Sequence, residues 1–190
     1  MISLNPDLFI GKGRERICYR HPLDKGKCIK IVHHPSPRTA SRIKREEKYH
    51  YRYLQNDPKC KFIPKFYGQI KTNLGHGQVF ELITDHNGSI SEKLIDCVQQ
   101  EVAFIKLEEK VLDLFRGFLE MKALVSDFHP SNVVIRRLSE DEFELVVIDG
   151  FGNSDFIKIA DHVPYFRRKK LIRKFRRFML MLKLSPHSIK

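Results

Sequence analysis

No apolar run in these 190 residues approaches the roughly 18–20 positions that a membrane-spanning helix needs, so none is expected. The first nine residues carry an acid and no basic cluster, which argues against a secretory leader and for a cytoplasmic protein. Cysteine is sparse: Cys18, Cys28, Cys60 and Cys97 stand far apart, with no Cys-x-x-Cys pair. That pattern excludes a disulfide framework and a zinc ribbon, leaving buried free thiols. The histidines at 33, 34, 50, 76, 86 and 162 show no ligand spacing. Internal repeats and low-complexity linkers are also missing. Acids disappear after Asp161: residues 162–190 hold ten Lys or Arg and no Asp or Glu. The net charge of +12 therefore belongs to that tail, because residues 1–161 carry 25 basic against 23 acidic side chains.

With 42% hydrophobic and 31% charged residues, the composition is globular and large enough for a core, in one domain or two small lobes. Strand-type patterning opens the chain. Residues 10–19 read as strand, glycine turn, strand, and 27–32 as a third strand after the turn at 21–26. Alternation places Cys28, Lys30 and Val32 on one face and Ile29 and Ile31 on the other. Pro35-Ser36-Pro37 precedes a helix predicted over 39–55, with Ala40, Ile43, His50 and Leu54 on its apolar and semi-apolar face and Glu46 and Glu47 at or beside that stripe. Asn56-Asp57-Pro58 would stop that helix.

Residues 62–71 and 78–84 read as two more strands around a turn at 73–77. Helical patterning then takes over. Ser89 and Glu92 resemble a capping box opening a short helix through Val98, and a longer helix is predicted over 101–122, repeating Leu107, Val111, Leu114, Phe115 and Phe118 at core spacing. A hairpin over 132–148 and a final helix over 166–184 complete the series. The fold class expected is α+β: a sheet-rich part with one helix over 1–83 and a mainly helical part over 84–190. A crevice between two such parts is a natural ligand site.

The chemistry concentrates in two stretches of the second part. In 124–135, Asp127 is followed after four residues by Asn132 and a strand. Seventeen positions beyond Asn132 stands Asp149, at the end of a strand and ahead of Gly150-Phe151-Gly152. This spacing reproduces that of a protein-kinase catalytic loop and its metal-binding acid. Phosphoryl transfer needs metal ligands and a positioned nucleophile more than covalent help. Asp127 is suited to accept a hydroxyl proton, and Asn132 and Asp149 to hold Mg²⁺.

Upstream, Gly11 and Gly13 would let backbone amides approach phosphates, although Arg16 stands where a third glycine would complete G-x-G-x-x-G. Lys30 lies in a β-run, where a charge needs a partner. The following helix offers Glu46 and, one position on, Glu47. A strand lysine held by a helix glutamate is the kinase device for gripping α- and β-phosphates.

These residues resemble the eukaryotic-like protein kinases and, more closely, the bacterial YrbL family, kinase-like proteins of the PhoP regulatory network. The resemblance spans nearly the whole chain and rests on residues 10–19, 28–32, 45–49 and 130–132. It implies a minimal two-lobed kinase-like fold using ATP and Mg²⁺. It further implies Lys30 as phosphate lysine with Glu46 as its partner, and Phe80 to Ile83, with Glu81 and Ile83, as the stretch meeting the adenine. Asp127 becomes the catalytic acid-base, and Asn132 and Asp149 the metal ligands.

Departures are also legible. Val125-Ser126-Asp127 replaces H-R-D, so switching by activation-loop phosphorylation is not expected. His129 takes the place of the catalytic-loop lysine, as a donor to the γ-phosphate whose charge depends on pH. D-F-G becomes Asp149-Gly150-Phe151-Gly152, and no A-P-E follows.

Three readings result: a phosphotransferase acting on an unidentified hydroxyl acceptor, small molecule or protein; a pseudokinase that binds nucleotide or a partner without transfer; and a binder of anionic surfaces through residues 166–183. That last segment places Ile172, Phe175, Met179 and Leu182 on one face and crowds Arg and Lys on the other. No nucleic-acid motif accompanies it.

Overall fold

The computed structural model describes residues 1–51, 60–100, 106–152 and 159–184. Three antiparallel strands open the chain, β1 (Phe9–Lys12), β2 (Arg16–His21) and β3 (Asp24–Val32). Helix α1 (Pro37–Tyr49) starts where Ser36 Oγ accepts the amide of Thr39 at 3.0 Å, with Pro37 preset for the first turn. Then come β4 (Phe66–Thr72) and β5 (Gly75–Glu81), which complete a five-stranded sheet of order β1-β2-β3-β5-β4. The β4–β5 turn is shorter than predicted, because Thr72 pairs directly with Gly75 across it.

The alternation read in β3 is observed. Ile29 and Ile31 pack with Leu4 and Val79 on one face of the sheet, while Cys28 packs with Phe66, Phe80 and Leu82 on the other. The face of α1 agrees with expectation at His50 and Glu46 and departs from it at Ala40. Ala40 is exposed, and the buried positions are Thr39, Glu46, Tyr49 and His50. This helix therefore directs a carboxylate inward, which requires a cation to meet it. The predicted extension of α1 to residue 55, with Leu54 and the Asn-Asp-Pro stop, lies outside the described residues.

In the second part, β6 (Glu92–Lys93), β7 (Val133–Arg137) and β8 (Phe143–Val147) form a three-stranded sheet beside α2 (Leu94–Gln99), α3 (Leu107–Glu120), α4 (Ile159–His162) and α5 (Pro164–Met181). The Ser89–Glu92 capping box does not form. Glu92 pairs with Ile135 as strand, and α2 starts two residues later without a side-chain cap. Ser89 and Ser91 instead stabilise a turn through Asp85, which accepts from Ser91 Oγ at 2.5 Å and from Arg137 at 3.0 Å. The predicted start of the long helix at residue 101 also lies outside the described residues.

Val111, Leu114, Phe115 and Phe118 of α3 meet Leu171, Phe175, Phe178 and Met179 of α5 in the main core. Phe128 stacks between the last two aromatics, 4.3 Å from Phe175 and 4.0 Å from Phe178, centroid to centroid. The catalytic-type loop is thereby rooted in the helical core by the residue next to Asp127.

Candidate functional site

The loop that carries Asp127 is held from three directions. Its start is tied by Tyr49 Oη, which accepts the amide of Leu124. Gly150 O accepts from Ser126 N at 2.7 Å, from Ser126 Oγ at 2.8 Å and from Asp127 N at 3.3 Å. Asn132 O accepts from Ile148 N at 2.8 Å, fastening the loop's end to the strand that leads to Asp149. Gly150 has φ +85°, and a Cβ there would lie 2.6 Å from Asp127 O. Only glycine permits this backbone approach. The Asp-Gly-Phe-Gly order thus has a local cause: the residue after Asp149 must be the one that touches the Asp127 backbone.

Asp127, Asn132 and Asp149 consequently line one crevice of about 370 Å³. Asn132 Nδ2 donates to Asp127 Oδ2 at 3.2 Å and to Asp127 O at 3.1 Å. Asp149 Oδ1 accepts from Gly150 N at 2.7 Å and from Arg16 Nη2 at 2.6 Å. Burial works against the Asp149 charge, yet Arg16 and Lys30 beside it, with these two donors, hold its carboxyl well below the usual carboxylate range.

The roof contributes Gly11, Gly13, Lys30, Glu81 and Ile83, with Phe80 and Leu82 between them. A Cβ at Gly11 would meet nothing within 4 Å, so the turn leaves open space toward the crevice. Cys18 and Cys28 also line it, both as free thiols. Glu81 is engaged by Arg136 at 2.8 Å, and Ile83 packs with Val134 and Val146.

The structure places Lys30 and Glu46 differently from the sequence reading. Lys30 Nζ donates to Ile148 O at 2.7 Å and sits 4.7 Å over the Phe80 ring. Glu46 is only 2% exposed and meets Arg16, whose Nη1 lies 2.8 Å from Glu46 Oε2. Arg16 also donates to Gln78 Oε1 at 2.9 Å. Its planar guanidinium can bridge α1 and Asp149 at once, which a single ammonium group does less well. Glu47, the other candidate partner, accepts instead from Gln69 at 2.7 Å and Gln78 at 3.0 Å.

Arg16 is the residue that sequence reasoning missed. A signal was present: alternation puts Arg16 and Cys18 on one face of β2, and Cys18 pairs with Lys30. The residue interrupting the glycine motif therefore points into the crevice.

His129 also departs from its expected place. Its Nδ1 accepts the Ser131 amide at 3.2 Å and lies 2.8 Å from Ser131 Oγ, capping the short turn Pro130–Asn132. The ring is not among the crevice-lining side chains. A cation near Asp127 comes from elsewhere: Lys174 of α5 donates to Ser126 O.

Two lobes, an antiparallel sheet above and helices below with this crevice between them, define a kinase-like fold. Solved structures agree on the fold. WbdD, crystallised with a kinase inhibitor, superposes with TM-score 0.57 at 14% identity, covering 92% of this chain and 37% of that one. The kinase domain of PknI from Mycobacterium tuberculosis gives 0.54 at 14%, covering 90% and 71%.

The family model described as PhoP regulatory network protein YrbL matches residues 2–183, and the chain belongs to that family. The YrbL protein of Escherichia coli (strain K12) is 31% identical over 182 residues, which cover 94% of this chain and 87% of that protein; the Shigella flexneri protein matches equally. Among the described residues no helix is long and apolar enough to cross a membrane.

Proposed function

We propose that the protein is an ATP- and Mg²⁺-dependent phosphotransferase acting on a hydroxyl acceptor. The observation that carries this reading is the convergence of Lys30, Asp127, Asn132 and Asp149 on one crevice beneath an open glycine turn. The donor set suits the metal. Asp149 Oδ2 and the Asn132 amide oxygen are hard oxygen ligands, of the kind Mg²⁺ accepts beside phosphate oxygens. Bound there, Mg²⁺ would neutralise charge on the transferring phosphoryl group.

Lys30, already half-desolvated beneath the glycine turn, grips the nucleotide phosphates. The apolar side chains of Ile10, Phe80, Leu82, Ile83 and Val134 surround the base. Asp127 is exposed at the crevice edge and accepts the acceptor's proton as the hydroxyl oxygen bonds to phosphorus and the bond to the departing ADP breaks. Asn132 orients the Asp127 carboxylate through its amide. This assignment belongs with an ATP-rich cytoplasm.

Thermal shift with ATP, with and without Mg²⁺, followed by an ADP-release assay, tests the reading. A metal-dependent upward shift and Mg²⁺-dependent ADP formation are expected. A second reading, a nucleotide-binding regulator without transfer, is favoured by the Arg16 grip on Asp149 Oδ1, which leaves fewer oxygens for metal. A metal-dependent shift without any ADP would select it. No shift at all would defeat both.

A further inference from the structure

Helix α5 is fixed in the fold by its apolar side: Leu171, Phe175, Phe178 and Met179 are all buried in the main core. The face carrying Phe175 and Met179 is therefore already used in the core, which weighs against a lipid surface binding through it. Outside the core, α5 leaves Tyr165, Phe166 and Leu180 exposed together with a run of charge. Lys170, itself buried, and Arg173, Lys174 and Arg177 follow the i, i+3, i+4, i+7 spacing of one helical stripe. Like charges at i, i+4 repel and weaken a helix, as the exposed Arg173 and Arg177 do here.

Its position is specific. Lys174 reaches the loop and donates to Ser126 O, one residue from Asp127. Partial burial lowers the pKa of that amine first of all, and Lys170, Arg173 and Arg177 lower it further, while Asp127 acts in the opposite sense. Arg173 and Arg177 thus flank, along the helix, the lysine that reaches the loop carrying the exposed Asp127 carboxylate. Arg173 and Arg177 are exposed and form no ion pair among the described residues. A guanidinium offers a fork that matches phosphate or carboxylate oxygens.

We propose that this stripe binds an anionic group of the acceptor, so that the substrate is a small hydroxy compound carrying its own phosphate or carboxylate, docked by Arg173 and Arg177 with its hydroxyl at Asp127. This inference rests on the phosphotransferase reading and deepens it. The stripe lies outside the nucleotide-lining residues, so the two readings fail separately.

The test titrates full-length protein, saturated with a non-hydrolysable ATP analogue and Mg²⁺, with glucose 6-phosphate, glucuronate and glucose. Binding of the phosphate or the carboxylate probe, and not of glucose, is expected, and comparing the two probes identifies which anion the site prefers. The double variant Arg173→Gln/Arg177→Gln, at exposed positions that leave the buried face intact, should weaken the anionic probe at least tenfold while the analogue's thermal shift is unchanged. Asp127→Asn, which removes a nearby negative charge, should tighten it. Equal binding by wild type and double variant, or equal binding of glucose, overturns the inference. Binding confined to duplex DNA or phosphatidylglycerol vesicles, with none to the sugars, also overturns it. If the analogue itself produces no shift in wild type, the nucleotide reading fails instead, and the same titration without analogue still decides the stripe.

Discussion

The floor and the roof of the crevice use the same kinase-like ingredients with different fidelity. On the floor, Asp127, Asn132 and Asp149 stand close together, clamped by Gly150 O and Asn132 O. On the roof, the lysine and the glutamate that the spacing suggested do not meet. Arg16 has taken the glutamate and reaches across to Asp149, while Lys30 rests on a backbone carbonyl. The difference teaches that loop spacing is rigid where backbone hydrogen bonds set it. Side-chain pairing is open wherever a longer, forked cation competes for the same buried acid.

The sharpest break of that comparison is catalytic. Asp127→Asn should reduce ADP formation by about 10²–10⁴-fold, with ATP affinity held. His129→Gln, which alters only a turn cap, should leave turnover near wild type. Parallel loss in both would return His129 to the crevice.

The roof is tested by stability. Arg16→Met leaves Glu46 buried without its cation and should cost about 3–5 kcal/mol in urea unfolding. Lys30→Met should cost much less and instead abolish the ATP-dependent thermal shift. Equal destabilisation by the two would mean that Lys30 shares the neutralisation of Glu46 with Arg16.

Next in size, Gly150→Ala forces a β-carbon into the φ +85° backbone against Asp127 O. A loss of about 1–3 kcal/mol is expected, with turnover falling more than ATP binding because Asp127 is displaced. An unchanged melting temperature would show that the floor does not depend on this approach.

A pH slope, modest at any one pH, comes last. His50 is buried beneath Phe80 and Phe151, and burial, then Lys30 and Arg16, push its pKa from 6.5 to about 3. Its neutral form is favoured by folding, so its stabilising contribution is complete above pH 6.5 and is lost as pH falls toward 3. The slope from this one group reaches at most about 1.4 kcal/mol per pH unit. His50→Leu should flatten denaturant midpoints measured across that window, and an unaltered slope would place the effect elsewhere.

Much of the architecture was legible because local rules decide it. Alternation in β3 separated Ile29 and Ile31 from Cys28, and helical periodicity identified Val111, Leu114 and Phe118 as core. Boundaries moved where a tertiary partner intervened: Glu92 joins a strand because β7 offers it an edge. On α1 the stripe misled at Ala40, which faces solvent, while Glu46 beside it is buried as its position suggested. Periodicity places the acid but cannot foresee which cation, 30 residues away, meets it.

The order and spacing of residues alone settled the order of most elements (though not β6 or α4), the two-part α+β design and the separation of Asp127 from Asn132, because strands, turns and loops answer to neighbours along the chain. Only the folded molecule decided which cation meets Glu46, why glycine follows Asp149, and that Lys174 comes back from the last helix to the loop. Each of these joins groups far apart in the chain, and burial makes an unmatched charge too costly to leave to local preference.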